Sequence, residues 1–444
     1  MTPLRPTYYQ RSRQVVTEKV SGFWQLLGEI SKGDNDSKNL APRQKSKSSI
    51  ARRHRPDYYL AMFMILLMLV GLVVMFSISP QIINATNNSS GADTDQYFYF
   101  SKQLVVVFLS LGIFLFTSRI PLDFWRKNLK RLLLVAGFFT LLLYFLSKVS
   151  PSSVCALGAC RWLRLGSISL QVSEIVKFCL LLFFAFFWGY FAKKQLLNSK
   201  KSLLYSGVIM ALGLLAIVVL QKDLGTGISM AVFLFAMLFV AGLKTRYLLI
   251  AGVLGVVAFV VAMITQPYRM ARFSTFLKGD DADVTAQTHH INEARIALGS
   301  GGMFGLGVGK SIQSTGYLPE VINDSIFAII GEVFGFVGAV TVILIFVGLL
   351  YRLAKGIFYS HDEVNRLLFA GAFGWVFAHL FINISSMTGI MPMTGITLPF
   401  LSYGGTSMLF ISAVLGVVSQ ASAYTSHTPY FQENSKFNRG LRRG

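Results

Sequence analysis

Long apolar runs separated by short polar segments dominate this chain. A helix needs about 20 apolar residues to cross the hydrocarbon of a bilayer, and ten runs approach or reach that length. They lie at approximately 58–79, 101–119, 132–149, 171–192, 203–220, 227–243, 247–265, 325–350, 368–389 and 403–423. The pattern predicts an all-α polytopic membrane protein with about ten transmembrane helices and a large outer loop, 266–323, between spans seven and eight.

The segments that connect these runs alternate in charge. Lys and Arg concentrate at both ends of the chain and in the connections 119–131, 193–201, 244–246 and 352–366. The intervening segments 80–100 and 390–402 contain no Lys or Arg. Because cytoplasmic loops carry the excess of basic residues, we expect both termini in the cytoplasm. The expected domains are a basic disordered arm (1–57), the membrane domain (58–423) and a basic cytoplasmic tail (424–444).

Composition supports the same class. Of the 444 residues, 53% are hydrophobic and only 14% are charged, whereas soluble domains carry about 25% charged residues. The formal net charge is +21, and such an excess can indicate a nucleic-acid partner. Since the orientation of membrane helices already explains the excess, we expect no nucleic-acid binding.

Several charged residues fall in the segments predicted to lie outside the cytoplasm. Basic residues there oppose the positive-inside trend, so they need another reason. An anionic ligand at the membrane interface, such as a lipid-linked phosphate or pyrophosphate, would supply it, because Arg and Lys both bind phosphate oxygens. The candidate binding residues are Arg161, Arg164, Glu174, Lys177, Asp223, Arg269, Arg272, Lys310 and Glu320.

Asp324 is the candidate catalytic residue. It stands where the outer loop meets the eighth apolar run, and an ionisable group at such a boundary is costly to hold unless it has a function. A simpler interpretation is that Asp324 caps the N-terminus of the eighth helix. Glu332, eight residues further into the run, is expected to have a buried structural partner.

Other candidates also have two interpretations. Glu174 and Lys177 are three residues apart on one helix, so they can pair with each other or act on a ligand. Asp223 precedes a tight turn, where helix capping explains it as well as a direct role does. The stretch Gly299–Lys310 lacks the spacing of a Walker A loop, and either admits a lipid headgroup or is a cluster of turns.

Cysteine usage leaves one question open. Cys155 and Cys160 share one short loop, and a disulfide between them is allowed if that loop lies outside the cytoplasm. The spacing does not decide whether it forms. Zinc binding is not expected, since no second Cys/His pair accompanies them.

Taken together, seven strings resemble the SEDS family (shape, elongation, division and sporulation). The resemblance covers roughly 58–423, and its motifs are specific jointly rather than singly. The strings are Arg161–Gly166, Gln171–Lys177, Gln221–Thr226, Gly301–Gly309, Tyr317–Glu320, Asp324–Glu332 and Met391–Ser407.

The resemblance implies a peptidoglycan glycosyltransferase that polymerises lipid II at the outer face of the cytoplasmic membrane. Asp324 matches the family's essential carboxylate, which implies a base in an inverting displacement of undecaprenyl pyrophosphate. The long basic arm is more like that of the cell-division polymerases than that of the rod-shape ones. A class B penicillin-binding protein, other division proteins and a septal location follow from the same resemblance, and so does a rod-shape alternative.

The chain departs from the family pattern at several positions. Pro is usual where Val172 and Lys222 stand, and Gln is usual at His379. The remaining departures lie near Asp324 in sequence or in the outer loop. Where the family usually has Tyr-Gln, Gln-Ser and His-Thr, this chain has His289-His290, Glu293-Ala294 and Ile322-Asn323 respectively. The hydrogen bonding of Asp324 is therefore open, with His289, His290 and Asn323 as alternative donors.

Two functions of other classes remain as alternatives. Charges within membrane helices also mark transport pathways, so a lipid II flippase is one alternative, and an inactive scaffold for division proteins is another. No cofactor is firmly implied. A divalent cation could help to neutralise a pyrophosphate, but the sequence shows no convincing set of metal ligands.

Overall fold

The structure is a computed structural model, and it describes residues 21–32, 56–90, 93–156, 159–165, 168–278 and 286–423. Within these residues, ten helices are long and apolar enough to cross a membrane. They are α2 (Tyr58–Ser90), α3 (Phe98–Arg119), α5 (Leu129–Val149), α7 (Val172–Lys193), α8 (Lys200–Leu215, continued by a π-helical turn, Ala216–Leu220), α9 (Leu224–Ala241), α10 (Thr245–Ile264), α13 (Ile326–Tyr359), α14 (Glu363–Met387) and α15 (Gly405–Ser422). The ten predicted spans are confirmed, and the chain is a multi-pass membrane protein.

The spans differ in how far other helices enclose them. Helices α7, α14 and α15 form the centre of the bundle: α14 packs against α7, α9 and α13, and α15 packs along α3. Their apolar residues face protein on nearly all sides. Helix α10 has no buried residue in its apolar stretch, so its side chains face the bilayer. A helix that is apolar all round suits either position.

Short elements connect the spans at the end of the bundle that carries Asp324, which we call the Asp324 end. Two small hairpins precede α7: β1 (Cys155–Ala156) with β2 (Ala159–Cys160), and β3 (Trp162–Leu165) with β4 (Ile168–Gln171). The connection between α10 and α13 contains α11 (Pro267–Lys278), α12 (Ala286–Ser300) and a 3₁₀ turn, Gln313–Thr315. The short helix α6 (Pro151–Val154) precedes β1 at the same end, whereas α4 (Leu122–Lys127) connects α3 to α5 at the opposite end.

One helix, α1, lies within the N-terminal arm at residues 21–32, where the sequence predicts no ordered element. Its side chains Leu26, Leu27 and Ile30 are buried. Phe23 contacts the ring of Tyr205 on α8 at 5.2 Å between centroids, which places the helix against the ends of the spans opposite Asp324. The other parts of the predicted arm and the tail 424–444 lie outside the described residues.

The glycine-rich stretch packs backbone to backbone against an interruption in α13. Gly335 has φ 69°, outside the helical range, and breaks the helix. Phe336 N–H donates to the Gly302 carbonyl at 2.8 Å, and Leu306 N–H donates to the Glu332 carbonyl at 2.9 Å. A Cβ on Gly305 would overlap the Val333 carbonyl. These glycines therefore permit a close approach of two backbone segments.

Glu332 holds the next part of the same loop. Its carboxylate is fully buried and accepts hydrogen bonds from Ser311 Oγ (2.5 Å), Ile312 N–H (2.8 Å) and Gln313 N–H (3.1 Å). The expected structural partnership of Glu332 is confirmed.

Candidate active site

Asp324 lies two residues before Ile326, the first residue of α13, at the end of the connection between α10 and α13. Its side chain is 7% exposed. Ser325, not Asp324, is the N-cap residue of α13, and it makes no side-chain capping hydrogen bond. The N-cap position of α13 therefore belongs to Ser325 rather than to Asp324. A buried carboxyl at the end of a span is costly to hold and is therefore a candidate for function.

Asn383 on α14 fixes the backbone that carries Asp324. Its Nδ2 group donates to the Asp324 carbonyl at 2.7 Å and to the Ile396 carbonyl at 2.8 Å, and its side chain is 1% exposed. A Cβ built on Gly395 would lie 3.9 Å from Asp324 Oδ2. The segment 394–397, which follows α14, therefore runs beside the Asp324 carboxyl.

The turn before Asp324 has its own polar contacts. Asn323 Nδ2 donates to Glu320 Oε2 at 2.6 Å, and Glu320 takes the left-handed backbone conformation with φ 51°. His290 Nε2 lies 2.7 Å from Ser325 Oγ, and that hydroxyl donates to the Pro319 carbonyl at 2.9 Å. Of the proposed donors, His290 thus reaches the residue next to Asp324, whereas His289 lies 3.5 Å from Glu293.

Glu174 and Lys177 form a buried ion pair at the Asp324 end of α7. Lys177 Nζ lies 2.8 Å from Glu174 Oε1, and both side chains are at most 2% exposed. Lys177 Nζ also lies 3.1 Å from His379 Nε2 and 4.4 Å from the centroid of the Trp375 ring. The pairing expected from their spacing is confirmed, and these contacts enclose the ammonium in protein.

Arg161 and Asp223 form a second pair that joins the β-hairpins to α9. Arg161 Nη1 lies 3.1 Å from Asp223 Oδ2. Asp223 is the N-cap of α9, because its Oδ1 accepts from Thr226 N–H at 3.1 Å and its Oδ2 accepts from Thr226 Oγ1 at 2.9 Å. The capping interpretation of Asp223 is confirmed. Arg161 is 27% exposed, so part of its guanidinium reaches the surface.

The other candidate cations fall into two groups. Arg164 and Lys310 are exposed, and both are accessible to an anionic ligand. Arg269 is buried, with its guanidinium donating to the carbonyls of Ala262 (2.8 Å) and Val218 (2.9 Å). Burial lowers the pKa of Arg269, and the nearby Asp223 carboxylate opposes that shift. The side chain of Arg272 lies outside the described residues.

Cys155 and Cys160 are joined by a disulfide. It closes the β1–β2 hairpin directly before Arg161, so it restrains the start of the segment that pairs with Asp223. In the described part of the chain, no group of three or more His, Cys, Asp or Glu side chains is arranged to hold a metal ion.

Sequence reasoning did not select Asn383 as a site residue, and it noted His379 only as a departure. Both are polar residues inside the apolar run 368–389, and buried polar groups within a span require partners. That signal was available. The partners, Asp324 and Lys177, are 59 and 202 residues away in sequence, and nothing local identifies them.

Comparison with known proteins gives a consistent result. The family model described as "Cell cycle protein" (FtsW, RodA and SpoVE) matches residues 58–427. Stage V sporulation protein E of Bacillus subtilis (strain 168) is 31% identical over 381 residues, covering 85% of this chain and 99% of that protein. The probable peptidoglycan glycosyltransferase FtsW of Coxiella burnetii (strain RSA 493 / Nine Mile phase I) is 32% identical over 337 residues, covering 74% of this chain and 88% of that protein.

A solved structure has the same fold. It is described as "Structural coordination of polymerization and crosslinking by a peptidoglycan synthase complex", with a TM-score of 0.63 and 23% identity, covering 84% of this chain and 99% of that one. The family match spans all ten helices as well as Asp324 and the segments that surround it. This chain is therefore a member of the FtsW/RodA/SpoVE family.

Proposed function

We propose that this protein is a peptidoglycan glycosyltransferase that polymerises lipid II into glycan strands, with Asp324 as the base. The enzyme class rests on relatives of about 30% identity that carry this name. The observation that supports the role of Asp324 is its placement: a buried carboxyl at the end of a span, held by Asn383 beside the segment 394–397.

The reaction is a displacement at C1 of an α-linked glycosyl pyrophosphate. The 4-hydroxyl of an acceptor N-acetylglucosamine forms the new C1–O bond on the face opposite the leaving group, so the product is β-linked. The C1–O bond to undecaprenyl pyrophosphate breaks, and its electron pair stays with the leaving group. Asp324 accepts the hydroxyl proton as the bond forms, and a positioned base of this kind contributes about 10²- to 10⁴-fold.

Charge develops on the pyrophosphate as it leaves, and cations held near it would stabilise that charge. Among the candidates, Arg164 and Lys310 are exposed and Arg161 is partly exposed, so we propose that they contact the phosphates. Lys177 and Arg269 already have buried protein partners, which suits a role in holding the site together. Roles in substrate binding for Glu174, Asp223, Arg272 and Glu320 remain part of the proposal.

Location and partners follow from the same proposal. The Asp324 end faces outward, because the opposite set of connections carries the Lys and Arg excess, and both termini are then cytoplasmic. The relatives named FtsW favour a role in septal synthesis with division proteins. The structural likeness to a chain of a synthase complex supports a class B penicillin-binding protein as partner.

The test is polymerisation in vesicles of defined lipid. The purified protein, with and without its candidate transpeptidase, is reconstituted with lipid II, and glycan strands are separated by gel electrophoresis. We expect strands from the wild type and at least a 100-fold lower rate from Asp324→Asn, which keeps the size of the side chain and removes its basicity.

Each alternative function predicts a different outcome. A flippase would move the lipid II headgroup across the bilayer without forming strands, and Asp324→Asn would not need to stop that movement. A scaffold would form no strands in any mixture, and Asp324→Ala would fully complement growth in cells. Either outcome would refute the polymerase.

A further inference from the structure

His379 on α14 bridges two parts of the site that the proposed reaction does not yet explain. Its Nε2 atom lies 3.1 Å from Lys177 Nζ, and its Nδ1 atom lies 3.1 Å from the Thr397 carbonyl oxygen. The His379 and Lys177 side chains are 3% and 0% exposed. Both contacts are therefore shielded from water, where hydrogen bonds have the largest consequences.

The chemistry of the partners fixes which ring nitrogen carries the proton. A lysine ammonium has only donors and a carbonyl oxygen only accepts. His379 Nε2 must then accept from Lys177, and Nδ1–H must donate to Thr397. A neutral imidazole of this one tautomer satisfies both partners at once, and neither the other tautomer nor the protonated ring does so.

The position of Thr397 connects this contact to Asp324. Residues four apart on a helix lie on the same face, so His379 and Asn383 both face the segment 394–397. Asn383 binds the Ile396 carbonyl and the Asp324 carbonyl, and His379 binds the next carbonyl, that of Thr397. One face of α14 thus sets the spacing between the Lys177 charge and the Asp324 carboxyl.

We propose that His379 is a positioning residue, which holds the Lys177–Glu174 pair at a fixed place relative to Asp324 through the segment 394–397. The proposal rests on the proposed glycosyltransferase function. The ammonium of Lys177 is enclosed, so it acts on the transition state through its field, and its position affects the rate of reaction more than the binding of substrate. The family's usual Gln at this position also offers one donor and one acceptor, which gives the proposal a conservative variant.

The experiment compares three variants in the vesicle assay with lipid II, in complex with the transpeptidase if the wild type requires it. His379→Leu removes both contacts, and His379→Gln keeps a donor and an acceptor. Trp188→Phe is the matched control, because it removes one buried hydrogen bond, to Ser206 Oγ at 2.8 Å, at the opposite end of α7. The rate constant kcat, the KM for lipid II and the thermal unfolding temperature are measured for each.

We expect His379→Leu to lower kcat by about 10- to 100-fold, as the loss of a hydrogen bond to a charged group would, and to change KM by less than about threefold. His379→Gln should restore kcat to within about fivefold of the wild type. Trp188→Phe should lower the unfolding temperature and leave kcat within about twofold. If His379 only filled space in the core, His379→Gln would not be expected to restore kcat, so this rescue distinguishes a hydrogen-bonding role from a packing role.

Two outcomes would overturn the proposal. One is a His379→Leu variant with wild-type kcat, and the other is equal loss of kcat in His379→Leu and His379→Gln. Asp324→Asn, measured in parallel, separates this inference from the function on which it rests. If Asp324→Asn keeps its activity, the proposed reaction is wrong; if it is inactive while His379→Leu is fully active, only the role of His379 is wrong.

Discussion

Asn383 provides the most direct test of how the fold holds Asp324. The substitution Asn383→Leu keeps the side chain at a similar size but removes the Nδ2 donor that serves the Asp324 and Ile396 carbonyls at 2.7 and 2.8 Å. Because the side chain is 1% exposed, water has little access to replace the lost donor. The Asp324 end of α14 and the segment 394–397 then lose their common contact with Asp324.

The size of the effect follows from those two contacts. Leaving a buried carbonyl without its donor costs about 1–3 kcal/mol, so losing the donor to both carbonyls would cost about 2–6 kcal/mol. Hydrogen bonds between membrane helices average only about 0.6 kcal/mol, so the lower part of that range applies if the carbonyls find new donors. If misplacement of the Asp324 carboxyl adds half of this cost of about 2–6 kcal/mol to the activation free energy, the polymerisation rate falls by about 5- to 150-fold.

Glycan synthesis from lipid II in vesicles measures that rate, and thermal unfolding measures the change in stability. Ser386→Ala is the matched control, since Ser386 Oγ lies one turn further along α14 and donates to the Ile382 and Pro392 carbonyls at 2.8 and 3.2 Å, away from Asp324. We expect the control to keep a rate within about twofold of the wild type. A normal rate in Asn383→Leu, with a lowered unfolding temperature, would show that the Asn383 contact stabilises the fold without positioning the base.

Two further predictions concern the backbone around the site. Gly301→Ala should lower the free energy of unfolding by about 1–3 kcal/mol, because a Cβ there would overlap the Gly331 carbonyl; Gly299→Ala, which meets nothing within 4 Å, is the control and should be neutral or stabilising. Lys222→Pro should destabilise by about 1–3 kcal/mol, since φ is 54° at this position and proline is confined to about −65°. Lys222→Gly should be neutral or stabilising. Thermal unfolding in one detergent measures all four, and a proline variant as stable as the glycine variant would contradict the assigned backbone.

The ten spans could be predicted because apolar length is a local property of the sequence. Their ends were harder to place, since helices continue beyond the hydrocarbon. Helix α13 was predicted at 325–350 but extends to Tyr359, and its last turns carry Arg352 and Lys355. Helix α2 was predicted to end at residue 79 but continues through Pro80 to Ser90. Polar residues end the membrane segment without ending the helix.

The interruption of α13 shows a second limit. One glycine inside a long apolar run does not indicate a break, because glycine is frequent in transmembrane helices. Gly335 breaks the helix only because Gly302 and Met303 supply carbonyls to the freed N–H groups of Phe336 and Val337. The sequence indicates that Gly299–Lys310 is glycine-rich and that the run 325–350 is apolar. It does not indicate that the two segments pair, because that contact forms only in the tertiary structure.

At Val172 and Lys222, where the family usually has proline, the sequence shows the departure but not the backbone property behind it. At Val172 the backbone N–H donates to the Arg161 carbonyl at 3.1 Å, a bond that proline lacks the hydrogen to make. At Lys222 the positive φ of 54° is closed to proline. Val172 is hydrogen-bonded to Arg161 and Lys222 immediately precedes Asp223, so each departure uses a property of the backbone that proline does not offer. A residue carried over from the family pattern to either position would therefore alter the site, although the pattern itself treats proline as the usual residue.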